Sequence, residues 1–177
     1  MASTDHAIVV GGIPLPSDTP LFLTMIAVHV VFGLVCAVAG LVAIVSFKRD
    51  GRHPTAGTVY YWSLAGVFVT ATALSAVWWS ENYHLFVLGS LSFAAVLLGR
   101  TAHRSRWNRW LPIHIAGMGT SYVLLMTAFY VDNGRNLPLW NQLPQAAFWI
   151  LPSLIGIPLI TRQLLRHPLM KQGPGMF

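Results

Sequence analysis

The stretch that decides the fold is LFLTMIAVHVVFGLVCAVAGLVAIVSF, residues 21–47, which is followed at once by KRDGRHP, residues 48–54. The first segment contains no Asp, Glu, Lys or Arg, and His29 is its only strongly polar residue. At about 1.5 Å per helical residue, the segment is longer than the roughly 30 Å hydrocarbon core of a bilayer. The basic cluster behind it predicts that this end of the helix faces the cytoplasm. We therefore expect a first transmembrane helix that acts as an uncleaved signal-anchor and sets the orientation of the chain.

The composition is that of a membrane protein. Of the 177 residues, 55% are hydrophobic and 9% are charged, whereas about a quarter of the residues in a soluble domain are charged. The length allows one membrane unit and no sizeable additional soluble domain. The single cysteine, Cys36, permits no intramolecular disulfide, so the fold must be stabilised by helix packing.

The net charge of +6 is distributed unevenly along the chain. With the apolar segments taken as alternating membrane crossings, ten of the eleven Lys and Arg residues fall on one side, and only Arg135 falls on the other. Four of the five acidic residues fall on the side of Arg135: Asp5, Asp18, Glu81 and Asp132. This is the positive-inside pattern of membrane proteins. The basic residues orient the protein and favour contact with anionic lipid headgroups, and we expect no nucleic-acid partner.

The remaining apolar segments predict four further transmembrane helices. The predicted helices are residues 21–47, 56–79, 84–102, 111–131 and 144–165. The tight outer connection at residues 80–83 makes the second and third helices antiparallel neighbours. The third helix is short, so Arg100 must snorkel toward the headgroups or the helix must lie inside the bundle. Pro152 and Pro158 should bend the fifth helix.

These segments predict an all-α integral membrane protein, a bundle of five transmembrane helices with the N-terminus outside and the C-terminus in the cytoplasm. Residues 1–20 form an extracytoplasmic tail in which residues 8–13 are suited to the headgroup region. Residues 21–165 form the transmembrane domain, and residues 166–177 form a cytoplasmic tail. Residues 48–55, with Pro54 at the boundary of the second helix, and residues 104–109 are the inner loops. Residues 132–143 are the long outer loop, with a turn at Asn133-Gly134.

Small residues mark the faces on which membrane helices approach one another. Three helices carry such a stripe, and each stripe includes a histidine. The stripes are His29, Gly33, Cys36 and Gly40; Gly89, Ser92, Val96, Gly99 and His103; and His114, Gly117, Ser121, Leu124 and Ala128. Each histidine is either a hydrogen-bonding group that fixes helix packing or a functional group, because intramembrane ionisable residues are costly and often functional.

A first candidate site is predicted at the cytoplasmic end, where His53, His103 and His114 lie at similar depth and Asp50 is nearby. Imidazole is a good ligand for transition metals and for haem iron, and a glycine beside a ligand leaves room for the face of a porphyrin. The chain lacks the two histidines about 14 residues apart on one helix that two-haem membrane cytochromes carry, and it lacks Cys-x-x-Cys-His. His103 also fits a simple headgroup-facing position.

A second candidate site is predicted at the outer end, where His29, Glu81, His84 and Asp132 gather. Glu81 and His84 have the Glu-x-x-His spacing that places both side chains on one face of a helix and suits a metal. A zinc-activated water would need three such ligands. A solvated Glu81–His84 pair is the alternative.

Two short motifs resemble those of a known family. They are HPTAGTVY, residues 53–60, and HIAGMGTSY, residues 114–122, the latter followed by TAFYVDNG, residues 127–134. With His29 in the first helix, this pattern resembles a bacterial family of predicted multi-pass membrane proteins that is defined as a domain of unknown function. The resemblance implies a small protein of the bacterial inner membrane and draws attention to His29, His53, Tyr60, His114 and Asp132.

We therefore expect a multi-pass protein of the bacterial cytoplasmic membrane in which two of His29, His53, His103 and His114 bind a b-type haem or a transition metal for membrane redox chemistry. Tyr60 and Tyr122 are candidate hydrogen-bond partners that would orient these ligands. The alternative is a non-catalytic accessory or lipid-binding protein, or an oligomeric transporter, whose histidines are structural. Membrane lipids and a homo-oligomer or a larger membrane complex are the expected partners.

Overall fold

A computed structural model of the protein describes residues 8–10, 13–15, 19–47 and 51–166. Five long helices dominate: α1 (Pro20–Val45), α2 (Arg52–Val77), α3 (Trp79–Arg104), α4 (Trp110–Asn133) and α5 (Gln145–Arg166). Each of the five is long and apolar enough to cross a membrane, which confirms the predicted number of spanning segments. Two short antiparallel strands, β1 (Ile8–Val10) and β2 (Ile13–Leu15), precede them. The strands include residues 8–10 and 13 of the predicted headgroup segment, and residues 11 and 12 lie outside the described part of the chain. Asp50 lies outside the described residues.

The chain divides into two compact units, Met1–Phe86 and Val87–Phe177, here called the N-terminal unit and the C-terminal unit. In the N-terminal unit, α1 and α2 are antiparallel. Their contacts run in opposite directions along the two helices, because His29 meets Thr70 near one end and His53 meets Ala43 near the other. Phe32 packs at Gly66 between these two contacts.

The first turns of α3 run back along α2, as expected for antiparallel neighbours. The Ser75 hydroxyl donates a hydrogen bond to the carbonyl of Asn82 at 3.4 Å. Further along, the rings of Phe68 and Phe86 stack with their centroids 6.5 Å apart. Trp78 alone interrupts the helical backbone between α2 and α3.

In the C-terminal unit, α4 is antiparallel to α3 on one side and to α5 on another. Ser92 of α3 donates its hydroxyl hydrogen to the carbonyl of Ser121 of α4 at 2.8 Å. Gly119 and Gly156 are the close-contact points between α4 and α5, where the side chains of Ile160 and Val123 fill the space that a Cβ would need. Two 3-10 turns, Gly134–Asn136 and Trp140–Gln142, shape the connection between α4 and α5.

The predicted starts of the second and third helices are wrong. Residues 80–83 are helical, and α3 is a full-length helix of 26 residues, so no short third helix exists. Glu81 lies in the first turn of α3, where a carboxylate stabilises the positive end of the helix dipole. The second helix begins at Arg52 because Gly51 adopts a φ of 108° before it. Pro54 falls in the first turn, where its missing N–H would have no helical partner.

The helix surfaces that face away from these contacts are apolar. On α1, Leu34 and Val38 are exposed, and on α5 Leu154 and Ile157 are exposed. A helix that presents such residues outward is suited to lipid rather than water. The prolines at positions 152 and 158 both lie within α5.

Candidate functional site

The crossing of α3 and α4 brings two helix backbones into direct contact. A Cβ on Gly117 would lie 2.7 Å from the carbonyl oxygen of Ala95 and 2.8 Å from the Cα of Gly99. Both glycines are buried. Close approach through small residues is the usual way in which membrane helices associate. The glycine stripe of α3 is therefore filled by α4, and the space predicted for a porphyrin face beside Gly99 and Gly117 is occupied by helix backbone.

One helical turn from this crossing, two of the predicted ligands meet. The imidazole rings of His103 and His114 have their centroids 5.1 Å apart and are tilted by 41°. His103 lies in the last turn of α3 and is exposed, whereas His114 lies near the start of α4 and is half-buried. The edge of the Trp110 ring packs on His103, with the centroids 5.0 Å apart. These three residues are here called the α3–α4 imidazole cluster.

The hydrogen bond of His114 determines which ring nitrogen carries its proton. The Nδ1 atom lies 3.0 Å from the carbonyl oxygen of Gly99, and a carbonyl only accepts, so Nδ1–H is the donor. In the neutral ring, Nε2 then carries the lone pair. Histidines that bind metals commonly donate their other N–H to a backbone carbonyl in this way.

The histidines of the N-terminal unit make separate contacts. His53 donates Nδ1–H to the carbonyl of Ala43 at 2.9 Å. The Nδ1 atom of His29 lies 2.8 Å from the Thr70 hydroxyl, which itself donates to the carbonyl of Gly66 at 2.7 Å and therefore accepts from His29. Ala43 lies 14 positions beyond His29, about 21 Å along α1, so His29 and His53 do not share a site.

The predicted supporting tyrosines lie two or more helical turns from the nearest histidine on their own helix. Tyr60 is buried, and its carbonyl accepts a weak hydrogen bond from the Cys36 thiol at 3.7 Å. Tyr122 is half-buried in α4, eight positions from His114, about 12 Å along the axis. That spacing does not place Tyr122 behind the His114 imidazole.

The residues of the predicted outer site make local contacts within each unit. Glu81 and His84 both belong to α3, and their spacing places them on one face of that helix. His84 packs against the ring of Tyr83, and the exposed Asp132 accepts a hydrogen bond from its neighbour Asn133 at 3.1 Å. Among the described residues, no three His, Cys, Asp or Glu side chains form a group that could hold a metal ion. A three-ligand zinc site at Glu81, His84 and Asp132 remains a prediction without support from these contacts.

The contact of Trp110 with His103 was not predicted from the sequence. Trp110 and His114 have the i, i+4 spacing that places both on one face of α4, and this was the available signal. Arg106 was also missed. Its guanidinium carbon lies 4.8 Å from the centroid of the Trp110 ring, within the range of a cation–π interaction.

Five spanning helices with a histidine pair at one helix crossing indicate a multi-pass helical membrane protein. No protein-family model, curated protein or solved structure matches the chain. The resemblance to a bacterial membrane protein family therefore remains a prediction that rests on the quoted motifs.

Proposed function

We propose that this membrane protein binds a transition-metal ion through His103 and His114 and serves membrane redox chemistry. The observation that carries the proposal is the approach of the two imidazoles to 5.1 Å, together with the hydrogen bond from Nδ1–H of His114 to the Gly99 carbonyl, which makes Nε2 the nitrogen of His114 that would bind the metal. Imidazole is a good ligand for zinc, copper, iron and nickel.

The separation of the rings suits a shared ion. A metal lies about 2 Å from the nitrogen that binds it, which places it about 3 Å from the ring centroid. Two centroids 5.1 Å apart then correspond to an open, roughly tetrahedral angle at the metal. The remaining positions would be filled by water or by a redox partner, because the position of His103 at the end of α3 is exposed.

A b-type haem held by this pair on its two faces fits the geometry less well. Two axial ligands on opposite faces of a macrocycle would hold their rings about 6 Å apart. The Gly99–Gly117 contact also fills the space between α3 and α4 on one side of the pair. We therefore favour a metal ion over haem. A haem bound by one of these two histidines would need its second axial ligand from a different residue.

The test is metal analysis of the detergent-purified full chain, alone and after titration with Zn²⁺ and with Cu⁺. We expect stoichiometric binding that weakens at least tenfold in His103→Ala and in His114→Ala, since loss of even an indirect partner of a metal costs ten- to a hundredfold. Leu91→Ala is the control, because Leu91 is an exposed residue of the same α3 helix and has no atom that binds a metal.

Absorption spectra of the same sample, oxidised and reduced, distinguish a haem protein by its Soret band. A protein that binds neither ion, or that loses binding equally in Leu91→Ala, would refute the proposed metal site. A Soret band that is lost in His114→Ala would indicate that His114 binds haem and not a metal ion.

The second candidate is an accessory or lipid-binding membrane protein, or an oligomeric transporter, with structural histidines. The observation that favours it is that three histidines each join two helices: His29 to Thr70, His53 to Ala43 and His114 to Gly99. Hydrogen bonds of this kind hold membrane helices together. Such a protein would remain colourless and free of metal in the experiment above.

The charge distribution also supports an orientation and a location for the protein. We infer a bacterial cytoplasmic membrane, with the N-terminus outside and the C-terminus in the cytoplasm. The support is the charge distribution, since four arginines lie within residues 100–109 and Asp132 opens the connection at the other end of α4. A homo-oligomer or a larger membrane complex is part of the same proposal, and the apolar outward faces of α1 and α5 fit either a lipid or a protein neighbour within the membrane.

A further inference from the structure

The connection between α3 and α4 concentrates positive charge in a small volume. Five residues, 105–109, join the last residue of α3 to the first of α4. Arg104, Arg106 and Arg109 are all exposed. The sequence contains no Asp or Glu from residue 82 to residue 131, so neither α3 beyond its first turn nor α4 before its end supplies a carboxylate to neutralise them. Within α3, the connection and α4, the arginines therefore lack a carboxylate partner, which leaves their charge for an anionic ligand.

The backbone of this loop is folded tightly. Arg106 and Arg109 both adopt left-handed backbone conformations, with φ of 48° and 60°. The Trp107 amide donates to the carbonyl of Ala102, and the Trp110 amide donates to the carbonyl of Trp107 at 2.9 Å. These two bonds fold the loop back onto the end of α3. A left-handed residue other than glycine is unfavourable and persists only where the surrounding structure requires it.

The aromatic residues place the arginines at the depth of lipid headgroups. Trp107 is 41% exposed, and the guanidinium of Arg106 stacks over Trp110 at 4.8 Å. Since α3 and α4 are both long enough to span, the loop that joins them lies at a membrane surface. Tryptophan is enriched at that level because it has an apolar ring and a polar N–H.

We propose that this loop is a binding site for the phosphate of an anionic phospholipid, formed by Arg104, Arg106 and Arg109 and bordered by Trp107 and Trp110. The planar guanidinium groups donate paired hydrogen bonds to phosphate oxygens, and the tryptophan rings pack on the glycerol and upper acyl chain. The inference is independent of the metal proposal, because it uses neither histidine of the imidazole cluster as a ligand.

The test measures lipid binding by native mass spectrometry of the full-length protein in detergent, titrated with phosphatidylglycerol or with phosphatidylcholine. We expect a clear preference for phosphatidylglycerol that decreases with added salt. Each arginine close to an anionic lipid contributes about fivefold in affinity, so Arg106→Gln/Arg109→Gln should weaken phosphatidylglycerol binding by at least about tenfold.

The matched control is Arg162→Gln/Arg166→Gln, which removes the same charge from exposed positions near the end of α5. This pair should retain the affinity of the unaltered protein. An equal loss in both pairs would refute a localised site and indicate a general charge effect. Competition by inorganic phosphate at the same concentration as the lipid would show that the loop binds the free anion, and it would refute the lipid assignment. An absent preference for phosphatidylglycerol would also refute the site.

Discussion

At the residue scale, several polar side chains of the apolar helices join two helices. The Thr70 hydroxyl is an example, since it donates to the Gly66 carbonyl in its own helix and accepts from His29 of α1. A polar group in the hydrocarbon region without a partner is costly. The contact therefore gives the Nδ1–H of His29 a hydrogen-bond acceptor, and it also specifies how α1 and α2 align.

Thr70→Val should destabilise the protein because it removes the acceptor of the His29 Nδ1–H while keeping the shape of the side chain. The expected cost is about 0.5–1.5 kcal/mol, the range measured for hydrogen bonds between membrane helices. The measurement is unfolding of the purified protein in mixed detergent micelles with increasing dodecyl sulfate.

Thr72→Val is the matched control, because the Thr72 hydroxyl donates its hydrogen bond within its own helix, to the carbonyl of Phe68 at 2.8 Å. It should change stability by less than half of that amount. The double variant His29→Leu/Thr70→Val should recover part of the loss, since removal of both partners leaves no unpaired group. Equal effects of the two threonine substitutions would contradict a stabilising His29–Thr70 bond.

At the element scale, the α3–α4 hairpin depends on glycines that let two backbones touch. Gly117→Ala places a Cβ 2.7 Å from the carbonyl oxygen of Ala95, and backbone atoms cannot move aside as a side chain does. We expect a loss of about 1–3 kcal/mol from overpacking, and also weaker metal binding, because His103 and His114 lie on the two helices that would separate.

Gly33→Ala tests the same substitution where the structure leaves room. A Cβ there meets no atom within 4 Å, so the change should be neutral or stabilise α1 by up to about 1 kcal/mol through helix propensity. Both variants are compared by the same unfolding measurement. If Gly117→Ala were tolerated as well as Gly33→Ala, the close crossing of α3 and α4 would be disproved.

At the scale of the whole molecule, the orientation of the five helices is open to a direct test. The single native cysteine, Cys36, is fully buried, so it gives a low background for labelling with a membrane-impermeant maleimide. Ser105→Cys should react only in permeabilised cells, and Asn141→Cys should react in intact cells, because the basic loop belongs inside under the positive-inside rule. Both positions are exposed.

The unaltered chain serves as the control for Cys36, and a cytoplasmic marker protein shows whether the cells are intact. The reverse labelling pattern would invert the proposed orientation. Labelling of both positions in intact cells would indicate that α4 does not span.

The sequence alone determined the number of helices that are long and apolar enough to span a membrane, and it predicted that the second and third are antiparallel neighbours. Hydrophobic length is a property of each segment by itself, since a helix either reaches across about 30 Å of hydrocarbon or does not. The small-residue stripes likewise identified Cys36, Gly99, Gly117 and Ser121 as contact positions, and these residues are buried.

Only the tertiary structure decided what those faces contact. The approach of His103 to His114 depends on how residues 105–109 fold, with two arginines in left-handed conformations, and no periodicity in the sequence encodes that turn. The same holds for Gly99 and Gly117, because a small residue permits a close neighbour but does not specify whether a cofactor or another helix fills the space. In this protein a helix fills it, since contact between two backbones gains packing that lipid cannot provide.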